Sequence, residues 1–355
     1  MTILVTGGAG FIGSNFIIDW LSNSDEEVIN IDKLTYAGNL NNLATLRENK
    51  KHIFFRVDIG DSKVCRELIN KYKPRAIINF AAESHVDRSI DSPEEFIQTN
   101  IIGVLRLLDS ANEYWQSLDG KQKKIFRFLH VSTDEVYGSL NADEPAFTET
   151  NRYKPNSPYS ASKASSDHLV RAYNQTYGLP VLTTNCSNNY GPYQFPEKLI
   201  PLFINNALAH KALPIYGDGL QVRDWLYVND HCSAINAVLE RGQIGEVYNI
   251  GGMNEKTNLQ TIDILCSLLD ELCPLKGEVK IKSYRELITY IRDRPGHDRR
   301  YAIDCTKIKK ELNWEPIENF ETGMRKTIEW YISNTKWVEE VTNGQYRKWI
   351  ERQYA

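Results

Sequence analysis

The sequence predicts an α/β protein built on a doubly wound parallel sheet, followed by a smaller, loop-rich domain. Six short runs rich in β-branched residues alternate with longer helical segments between residues 1 and 185. Such alternation is typical of crossover connections between parallel strands. A glycine-rich turn directly follows the first of these runs, and after residue 185 the alternation gives way to loops rich in Gly, Pro and Asn.

Length, charge and cysteine content limit the class of protein. The chain has 355 residues and a net charge of -4 with acids and bases interspersed, so we expect one or two domains and no nucleic-acid partner. No apolar run reaches the ~18 residues of a membrane span, and the chain opens on a strand instead of a signal segment. The six cysteines form no CxxC pair, which argues against disulfides or zinc. We expect a cytoplasmic protein that binds no membrane.

The elements of the first half follow from the residue pattern in chain order. The six predicted strands are ILVTG, VINID, IFFRVD, AIINFAA, FRFLHVS and VLTTN. An amphipathic helix from Phe11 to about Leu21 is expected between the first two. Another helix is expected at Pro93, with Ser92 as N-cap and Glu95 completing a capping box. The predicted apolar face of that helix comprises Phe96, Ile97, Ile101, Val104, Leu105 and Leu108.

The segment TGGAGFIG places Gly7, Gly10 and Gly13 between the first strand and its helix. Glycines at this spacing let the backbone approach a pyrophosphate, which meets the positive end of the helix. Asp32 ends the second strand 19 residues beyond Gly13, where a ribose-binding acid is expected. Its carboxylate favours NAD over NADP because it repels a 2′-phosphate. The glycines alone also fit a plain turn, but this context predicts an NAD-binding Rossmann domain.

A domain boundary is predicted near residue 186. We expect residues 1–185 to form the NAD-binding domain and residues 186–355 mainly to bind the substrate. This division allows later segments, such as residues 225–250, to belong to the first domain. In the second half we expect helices such as Thr261–Leu272 and an amphipathic helical ending from Gly323 to Val341.

The segment SPYSASK places Tyr159 and Lys163 four residues apart, on one face of a helix. A nearby ammonium stabilises a phenolate, so Tyr159 could accept a proton from an alcohol while Lys163 also holds the nicotinamide ribose. Such a pair by itself is more often an ordinary surface pair. Beside a dinucleotide fold and Thr133, it predicts an NAD-dependent enzyme that acts on an alcohol.

The segments TGGAGFIG, STDEVYG and YSASK together resemble the extended short-chain dehydrogenase/reductase family. Other segments, among them DKLTYAGN, AAESHVDRSI, NCSNNYGPYQFPEKLIP and RPGHDRRYAID, resemble the nucleotide-sugar 4,6-dehydratases within it. The resemblance spans nearly the whole chain. It implies oxidation of dTDP-glucose at C4, loss of water across C5 and C6, and return of the hydride to C6. It also implies a homodimer, through helices that start near Pro93 and Tyr159.

This chemistry needs two groups besides Tyr159. A ketone at C4 acidifies the C5 proton, so a base must remove that proton and an acid must protonate the departing C6 hydroxyl. The resemblance implies Asp134 as the acid, Glu135 as the base and Thr133 as a hydrogen-bond partner near the C4 hydroxyl. Adjacent carboxylates discourage joint ionisation, but the residues alone do not decide which one holds the proton.

The resemblance further implies the binding residues. NAD is expected to contact Gly7, Gly10, Phe11, Ile12, Gly13, Asp32, Lys33, Leu34, Thr35, Asp58, Ile59, Ala81, Ala82, Ser84, Thr99, Tyr159, Lys163 and Asn189. The substrate is expected to contact Ser84, Thr133, Asn188, Lys198, Leu199, Pro214, Ile215, Tyr216, Arg223, Asn258, Asp293, Arg294, Pro295, Gly296 and His297. The guanidinium of Arg223 can fork onto a diphosphate. The histidines are scattered, so no metal site is predicted.

Two other classes of function stay open at the level of sequence. A sugar-nucleotide 4-epimerase or decarboxylase of the same fold would share the glycine turn, Asp32, Tyr159 and Lys163. Neither needs an acid and a base at C5 and C6, so the Thr133–Glu135 segment discriminates against them. A non-catalytic dinucleotide-binding sensor or scaffold would need none of the catalytic groups. The choice of thymine over uracil rests on the resemblance alone.

Overall fold

The computed structural model describes residues 1–276, 280–293 and 297–342. The strands are β1 (Thr2–Thr6), β2 (Glu27–Asp32), β3 (His52–Arg56), β4 (Ala76–Asn79), β5 (Arg127–Thr133), β6 (Val181–Cys186), β7 (Asn188–Tyr190), β8 (Leu213–Tyr216), β9 (Val222–Tyr227), β10 (Val247–Ile250), β11 (Glu255–Thr257) and β12 (Ile288–Ile291). The α-helices are α1 (Phe11–Asn23), α2 (Ser62–Tyr72), α3 (Val86–Asp91), α4 (Pro93–Phe96), α5 (Val104–Ser117), α6 (Gly120–Ile125), α7 (Pro158–Tyr177), α8 (Leu199–Leu208), α9 (Val228–Arg241), α10 (Asn258–Leu272), α11 (Thr306–Leu312), α12 (Phe320–Ser333) and α13 (Thr335–Thr342). Tighter 3₁₀ turns cover Leu40–Leu46, Asp134–Tyr137 and Tyr284–Leu287, and a wider π-helical stretch covers Ile97–Gly103.

Seven parallel strands form the main sheet, in the order β10-β6-β5-β4-β1-β2-β3. The six predicted strands are all present as β1 to β6. The direction in which strands are added reverses between β1 and β4, which is the hallmark of a doubly wound sheet. The predicted fold class is therefore confirmed. β10 pairs with β6, so a segment far along the chain adds the seventh strand.

Apolar side chains cover both faces of the sheet, which explains the continuous apolar runs of the central strands. On β1, Ile3 and Val5 pack with Phe16 of α1 in one core cluster. Leu4, between them, points to the opposite face and packs in a second cluster with Leu107 of α5. All six residues of β6 are buried, as expected for a strand covered on both sides.

The smaller, loop-rich region has its own sheets and core. One sheet has the order β11-β9-β7, with one antiparallel and one parallel pairing, and β8 pairs with β12 in a second. Residues of α8, α10 and α12, among them Phe203, Leu265 and Met324, form a third apolar cluster with Trp225 of β9. The smaller domain of the predicted fold class is thus present, while the exact boundary at residue 186 stays a prediction.

The helix predicted at Pro93 differs in detail from the structure. Ser92 makes no side-chain cap hydrogen bond, so the predicted capping box is wrong. Ser92 lies between two helices, and its backbone N–H donates to the carbonyl oxygen of Arg88 at the end of α3. After one turn, α4 passes into the π-helical stretch, whose wider turns rotate the following side chains. Ile97, expected on the apolar face, is 46% exposed.

Candidate active site

A cavity of about 290 Å³ opens at the carboxyl ends of β1, β4 and β5, where the strand order reverses. Ligands of open α/β sheets bind at this point because loops from both halves of the sheet diverge there. All but one of the predicted cofactor residues line the cavity: Gly7, Gly10, Phe11, Ile12, Gly13, Asp32, Lys33, Thr35, Asp58, Ile59, Ala81, Ala82, Ser84, Thr99, Tyr159, Lys163 and Asn189. Leu34 is not among the lining residues. Its N–H donates to Asp32 Oδ1 at 2.8 Å.

The glycine turn leaves no room for side chains. Gly7 has a φ of +69°, and a Cβ there would lie 2.6 Å from the backbone nitrogen of Ala81. A Cβ on Gly13 would lie 2.4 Å from the carbonyl oxygen of Gly7. The turn therefore presents bare backbone at the start of α1, which fits the pyrophosphate of a dinucleotide.

Asp32 holds the same turn from the end of β2. Its Oδ2 accepts a hydrogen bond from the N–H of Ala9 at 3.0 Å, and burial raises the pKa of the carboxyl group. The amide of Asn42 adds a second support by donating to the carbonyl oxygen of Ala9 at 2.9 Å. The indole N–H of Trp337 in α13 donates to Asn42 Oδ1 at 2.8 Å. The sequence offered no signal for this link between α13 and the glycine turn.

The neighbouring carboxyl groups at the end of β5 lie in different surroundings. Thr133 is the last residue of the strand, and its hydroxyl caps the following 3₁₀ turn by accepting from the N–H of Glu135 at 3.3 Å. Asp134 is 2% exposed, whereas Glu135 is half-buried and lines the cavity. The tight turn therefore separates the environments of residues that are adjacent in sequence.

Burial raises the pKa of Asp134 well above its usual range. The carboxylates of Glu135 and Asp224 add to the shift, whereas the guanidinium of Arg223 opposes it. Asp134 Oδ2 is buried and has no hydrogen-bond partner among the described residues. These surroundings favour the neutral, protonated form of Asp134.

Helix α7 carries Tyr159 and Lys163 into the cavity. Its first turn is fixed by Pro158 and by a capping box between Ser157 and Ser160. Burial, and next the charge of Glu135, raise the pKa of Tyr159 well above its usual range, whereas a hydrogen bond from the Thr133 hydroxyl opposes the shift.

This direction is opposite to the stabilisation of the phenolate that the sequence analysis expected from Lys163, and the role of Tyr159 as a base stays a prediction. Lys163 Nζ donates to the carbonyl oxygen of Val131 at 2.8 Å, and the phenol of Tyr159 lies in a buried site. Desolvation of the phenolate therefore outweighs the attraction of the ammonium.

A buried polar cluster that the sequence analysis missed lies beneath Lys163. His130 Nε2 lies 3.4 Å from Lys163 Nζ and 3.5 Å from Asp167 Oδ1. The hydroxyl of Ser132 donates to Asp167 Oδ2 at 2.9 Å. Burial raises the pKa of Asp167 to about 7, although the Lys163 ammonium opposes the shift. Spacing offered one signal, because Asp167 follows Lys163 by four residues on the same helix.

The predicted substrate residues fall into separate groups. Ser84, Thr133, Asn188 and Lys198 line the cavity, and Lys198 Nζ donates to the carbonyl oxygen of Ser84 at 3.0 Å. Leu199 is the first residue of α8.

The remaining predicted substrate residues belong to the smaller region. Pro214, Ile215 and Tyr216 lie on β8, beside β12. Gln221 Nε2 donates to Asp293 Oδ2 at 3.2 Å, and Asn258 Nδ2 donates to Gln221 Oε1 at 3.5 Å. His297 Nδ1 lies 2.6 Å from Asp293 Oδ1. Arg294, Pro295 and Gly296 lie outside the described residues.

Arg223 is more enclosed than its predicted role as a diphosphate ligand implied. It is 7% exposed, it donates to the carbonyl oxygen of Asp298 at 2.9 Å, and its guanidinium lies 4.5 Å from the ring centre of Tyr301. Its charge acts on Asp134, as described above.

Several cavity residues were not predicted as binding residues, although they lie in the segments AAESHVDRSI and NCSNNYGPYQFPEKLIP, which carry the family resemblance. Glu83, Gln194, Phe195 and Glu197 line the cavity from loops. Glu197 is 4% exposed and accepts a hydrogen bond from Arg88 at 3.1 Å. These loops converge only in the folded chain, so no spacing in the sequence marks them.

Three further observations concern cysteines, metal ligands and membrane spans. All six cysteines are free thiols, and all but Cys273 are buried. Within the described ranges, no group of three His, Cys, Asp or Glu side chains is placed to hold a metal ion. The helices of the same ranges include none with the length and hydropathy needed for a membrane span.

The known proteins with sequences similar to this chain are nucleotide-sugar dehydratases. Residues 4–327 match the GDP-mannose 4,6-dehydratase family. The chain is 58% identical to a dTDP-glucose 4,6-dehydratase of Shigella flexneri, over 100% of this chain and 99% of the relative. It is also 58% identical to a dTDP-glucose 4,6-dehydratase of Xanthomonas campestris, over 98% of this chain and 97% of the relative.

Solved structures of similar proteins have the same fold. A dTDP-glucose 4,6-dehydratase of Bacillus anthracis in complex with NAD is 48% identical, with a TM-score of 0.84 over 96% of this chain and 99% of that one. One from Streptomyces venezuelae with NAD and TYD bound is 44% identical, with a TM-score of 0.86 over 96% and 100% of the two chains. A UDP-glucose 4-epimerase of Thermotoga maritima is more distant, at 31% identity and a TM-score of 0.81 over 94% and 100%.

Proposed function

The chain belongs to the GDP-mannose 4,6-dehydratase family of NAD-dependent epimerases and dehydratases, and from this premise we propose that it acts as a dTDP-glucose 4,6-dehydratase. It is then a hydro-lyase that converts dTDP-glucose to dTDP-4-dehydro-6-deoxy-glucose. The observation that carries the proposal is the pair Asp134 and Glu135, which ends β5 next to Tyr159 in unequal surroundings. Dehydration requires an acid and a base at once, and unequal surroundings allow adjacent carboxyl groups to take these different roles.

NAD fits the cradle of bare backbone around Gly7 and Gly13, with Asp32 at the ribose. When bound, it accepts the hydride from C4 and later returns it to C6. The chain's own part in the first step is to remove the C4 hydroxyl proton. Tyr159 takes that proton in its phenolate form, which the Lys163 ammonium and the positive charge that bound NAD would bring stabilise against burial, and the Thr133 hydroxyl orients the sugar near C4.

The elimination uses the carboxyl pair. Glu135 lines the cavity and removes the C5 proton, which the C4 ketone has made acidic. Asp134 is held in its protonated form by burial and gives its proton to the C6 hydroxyl, which leaves as water. Glu135 then returns its proton to C5 when the hydride reaches C6.

A sugar-nucleotide 4-epimerase or another 4,6-dehydratase of the same fold is the alternative. Tyr159 and the glycine turn serve an epimerase equally well, and solved epimerases share the fold at 27% to 31% identity. The solved dehydratases are 44% to 48% identical, and the relatives by sequence reach 58%. An epimerase has no use for a neutral Asp134 beside Glu135, so the carboxyl pair favours dehydration.

The assembly and compartment are also proposals. We infer a homodimer that forms through the helices near Pro93 and α7. Ile97 in the π-helical stretch and Ile90 in α3 are 46% and 45% exposed, which provides apolar surface for such a contact. The six free thiols fit a reducing compartment, and we place the protein in the cytoplasm.

The test is to incubate the purified protein with NAD and either dTDP-glucose or UDP-glucose and to identify the products by NMR. The expected product from dTDP-glucose has a ketone at C4 and a methyl group at C6. A product that retains its C6 hydroxyl with an inverted C4 centre would instead identify an epimerase. Faster turnover of UDP-glucose would overturn the assignment of the thymine nucleotide.

A further inference from the structure

The proposed reaction needs its cofactor twice in one turnover. The hydride that leaves C4 has to come back to C6, and water is eliminated between the two transfers. If the reduced cofactor left the cavity in that interval, the sugar would stay oxidised at C4 and the site would be empty. The protein therefore has to hold the dinucleotide in the cavity until C6 has been reduced.

Three loops from different parts of the chain line the cavity around the glycine turn. The first follows β2 and includes Thr35 and Ala37, the second follows β4 and includes residues 80–84, and the third precedes α8 and includes Phe195 and Glu197. Strands β2 and β4 belong to opposite halves of the main sheet. A ligand at the reversal of strand order lies between such loops, so contacts that join the loops restrict its departure.

The side chain of Arg88 joins the first and third loops. Arg88 belongs to α3, which directly follows the second loop. Its guanidinium lies 3.5 Å from the ring centre of Tyr36, in the first loop, and its Nη2 donates to Glu197 Oε2, in the third, at 3.1 Å. His85, the N-cap residue of α3, places Nε2 at 3.8 Å from the same carboxylate oxygen. One guanidinium thus bridges loops that are remote in sequence.

Two further contacts join the same loops. The ring of Tyr36 packs edge-on against the ring of Phe195, with centroids 5.6 Å apart. Lys198 Nζ donates to the carbonyl oxygen of Ser84 at 3.0 Å. Each of the three loops is therefore in contact with the other two, directly or through Arg88.

The environment of this cluster strengthens its contacts. Glu197 is 4% exposed, and burial raises the pKa of its carboxyl group, while the charges of Lys198 and then Arg88 oppose the shift. An ion pair and a cation–π contact are both stronger in a poorly solvated site than in water. Because Arg88 makes both contacts, separation of the first and third loops would break both at once.

We propose that Tyr36, Arg88 and Glu197 form a clasp that keeps the reduced cofactor in the cavity between the two hydride transfers. The purpose of the clasp in turnover rests on the proposed function, whereas its effect on cofactor release can be measured without any sugar. Arg88 and Tyr36 are not among the residues that line the cavity. Arg88 is therefore a positioning residue, which acts through the loops that it joins.

The test compares Arg88→Met with Arg75→Met. Either change keeps an unbranched apolar stem and removes the guanidinium. Arg75 is a matched control because its Nε lies 2.7 Å from Glu26 Oε1 and its guanidinium lies 5.6 Å from the ring centre of Trp20. Arg75 and Glu26 directly precede β4 and β2, so they lie at the amino ends of the strands, at the edge opposite the cavity.

The first readout is the rate at which NAD leaves the loaded protein in the absence of sugar. Alcohol dehydrogenase and ethanol, added after dilution, convert released NAD to NADH, which is followed by its absorbance. We expect release from Arg88→Met to be at least about 10-fold faster than from the unmodified protein. Release from Arg75→Met should stay within about 2-fold, because the substitution is remote from the cavity. An unchanged rate in Arg88→Met, or an equal acceleration in Arg75→Met, would overturn the clasp.

The second readout is loss of NADH during turnover. With dTDP-glucose and no added NAD, Arg88→Met should release NADH, detected by absorbance after ultrafiltration, and should then stop until NAD is supplied. The unmodified enzyme should release none. Retention of NADH by Arg88→Met throughout turnover would overturn the role of the clasp in the reaction. Absence of product from the unmodified enzyme would overturn the proposed function, while the NAD release rates would still decide whether the clasp holds the cofactor.

A double variant tests whether Arg88 and Glu197 act together. Glu197→Gln keeps the shape of the side chain and removes its charge, and Glu26→Gln is the matched control. If the two residues act as one clasp, Arg88→Met/Glu197→Gln should release NAD no faster than the faster single variant. Accelerations that multiply would contradict a shared role. If Arg88→Met does not fold, faster release from Glu197→Gln than from Glu26→Gln is the expected result, and equal release would overturn the clasp.

Discussion

At the scale of single residues, the site depends on the different surroundings of adjacent side chains. Asp134 and Glu135 are chemically alike, yet the 3₁₀ turn buries one and leaves the other half-buried at the cavity. A buried carboxyl group retains its proton because ionisation in a poorly solvated site costs free energy. The different positions of the two carboxyl groups are therefore the basis of the proposed division between acid and base.

This division predicts distinct effects for matched amide variants. In Glu135→Gln the C5 proton has no base, so C5 exchange with D2O and product formation should both slow by about 10²- to 10⁴-fold. In Asp134→Asn the base remains, so C5 exchange should continue while product formation slows. NMR of the sugar in D2O measures both. Bound NAD, measured by absorbance after denaturation, should be retained in either variant. Equal loss of exchange in both variants would contradict the assignment.

His231 in α9 is a buried base beside the cofactor residue Asn189. Its Nδ1 lies 2.8 Å from Asn189 Oδ1, its exposure is 0%, and Nε2 has no hydrogen-bond partner among the described residues. Burial lowers the pKa of His231 from 6.5 to about 3. The imidazole is therefore neutral in the folded protein throughout the physiological range.

The lowered pKa predicts a specific loss of stability in acid. An unfolded chain protonates this histidine below pH 6.5, whereas the folded chain resists until about pH 3. Its contribution is complete above pH 6.5 and is lost as the pH falls, at about 1.4 kcal/mol per pH unit. Urea unfolding at several pH values should thus show a shallower decline in the free energy of unfolding for His231→Gln. Parallel curves for the two proteins would contradict this expectation.

At the scale of elements, the short C-terminal helix α13 supports the cofactor turn from a distance in sequence. Trp337 donates to Asn42, and Asn42 in turn donates to the carbonyl oxygen of Ala9. The ring of Trp337 also packs against Trp330 of α12, with centroids 5.0 Å apart. The glycine turn is therefore braced by β2 on one side, through Asp32, and by α13 through Asn42.

Removal of the indole N–H should loosen the cofactor. Trp337→Phe keeps an aromatic ring but leaves Asn42 Oδ1 without its donor, at a cost of about 1 to 3 kcal/mol. We expect a lower denaturant midpoint and dissociation of NAD that is several-fold faster, measured by gel filtration and stopped-flow capture. Trp330→Phe is the matched control and should retain NAD as the unmodified enzyme does. Identical NAD dissociation in the two variants would argue against the brace.

For the whole molecule, the proposed homodimer calls for an apolar surface that a second copy can cover. Ile97, the first residue of the π-helical stretch, is 46% exposed. An apolar side chain on a helix surface costs free energy in water, which burial against a second copy recovers. The helices near Pro93 and α7 are therefore the proposed contact.

A charge at this surface should separate the copies. Ile97→Glu would place a carboxylate in the proposed dimer contact, so sedimentation should show a shift from dimer to the monomer mass of 40.8 kDa. Ile317→Glu is the control, because Ile317 is 86% exposed and lies far along the chain, between α11 and α12. A dimer that survives in Ile97→Glu, or a monomer in the unmodified protein, would overturn the proposed contact.

The residue pattern was sufficient to predict the class of the fold and a candidate place for the cofactor. Alternating strands and helices, the turn at Gly7 to Gly13 and the acid at Asp32 are local patterns, because crossovers, tight turns and strand ends each occupy a few consecutive residues. The spacing of Tyr159 and Lys163 and the adjacency of Asp134 and Glu135 were likewise readable without coordinates. The predicted capping box at Ser92 is wrong because the N–H of Ser92 already donates to the carbonyl oxygen of Arg88 in α3.

The folded structure was needed to establish which carboxyl group is buried, how the pKa of Tyr159 shifts, and which distant residues support the site. Desolvation depends on everything that surrounds a group, and Arg223 and Asp224 of β9 act on Asp134 from about 90 residues further along the chain. The same holds for Trp337 and Asn42, which are 295 positions apart. Local sequence patterns specify local backbone geometry, whereas burial and long-range contacts exist only after the chain has folded.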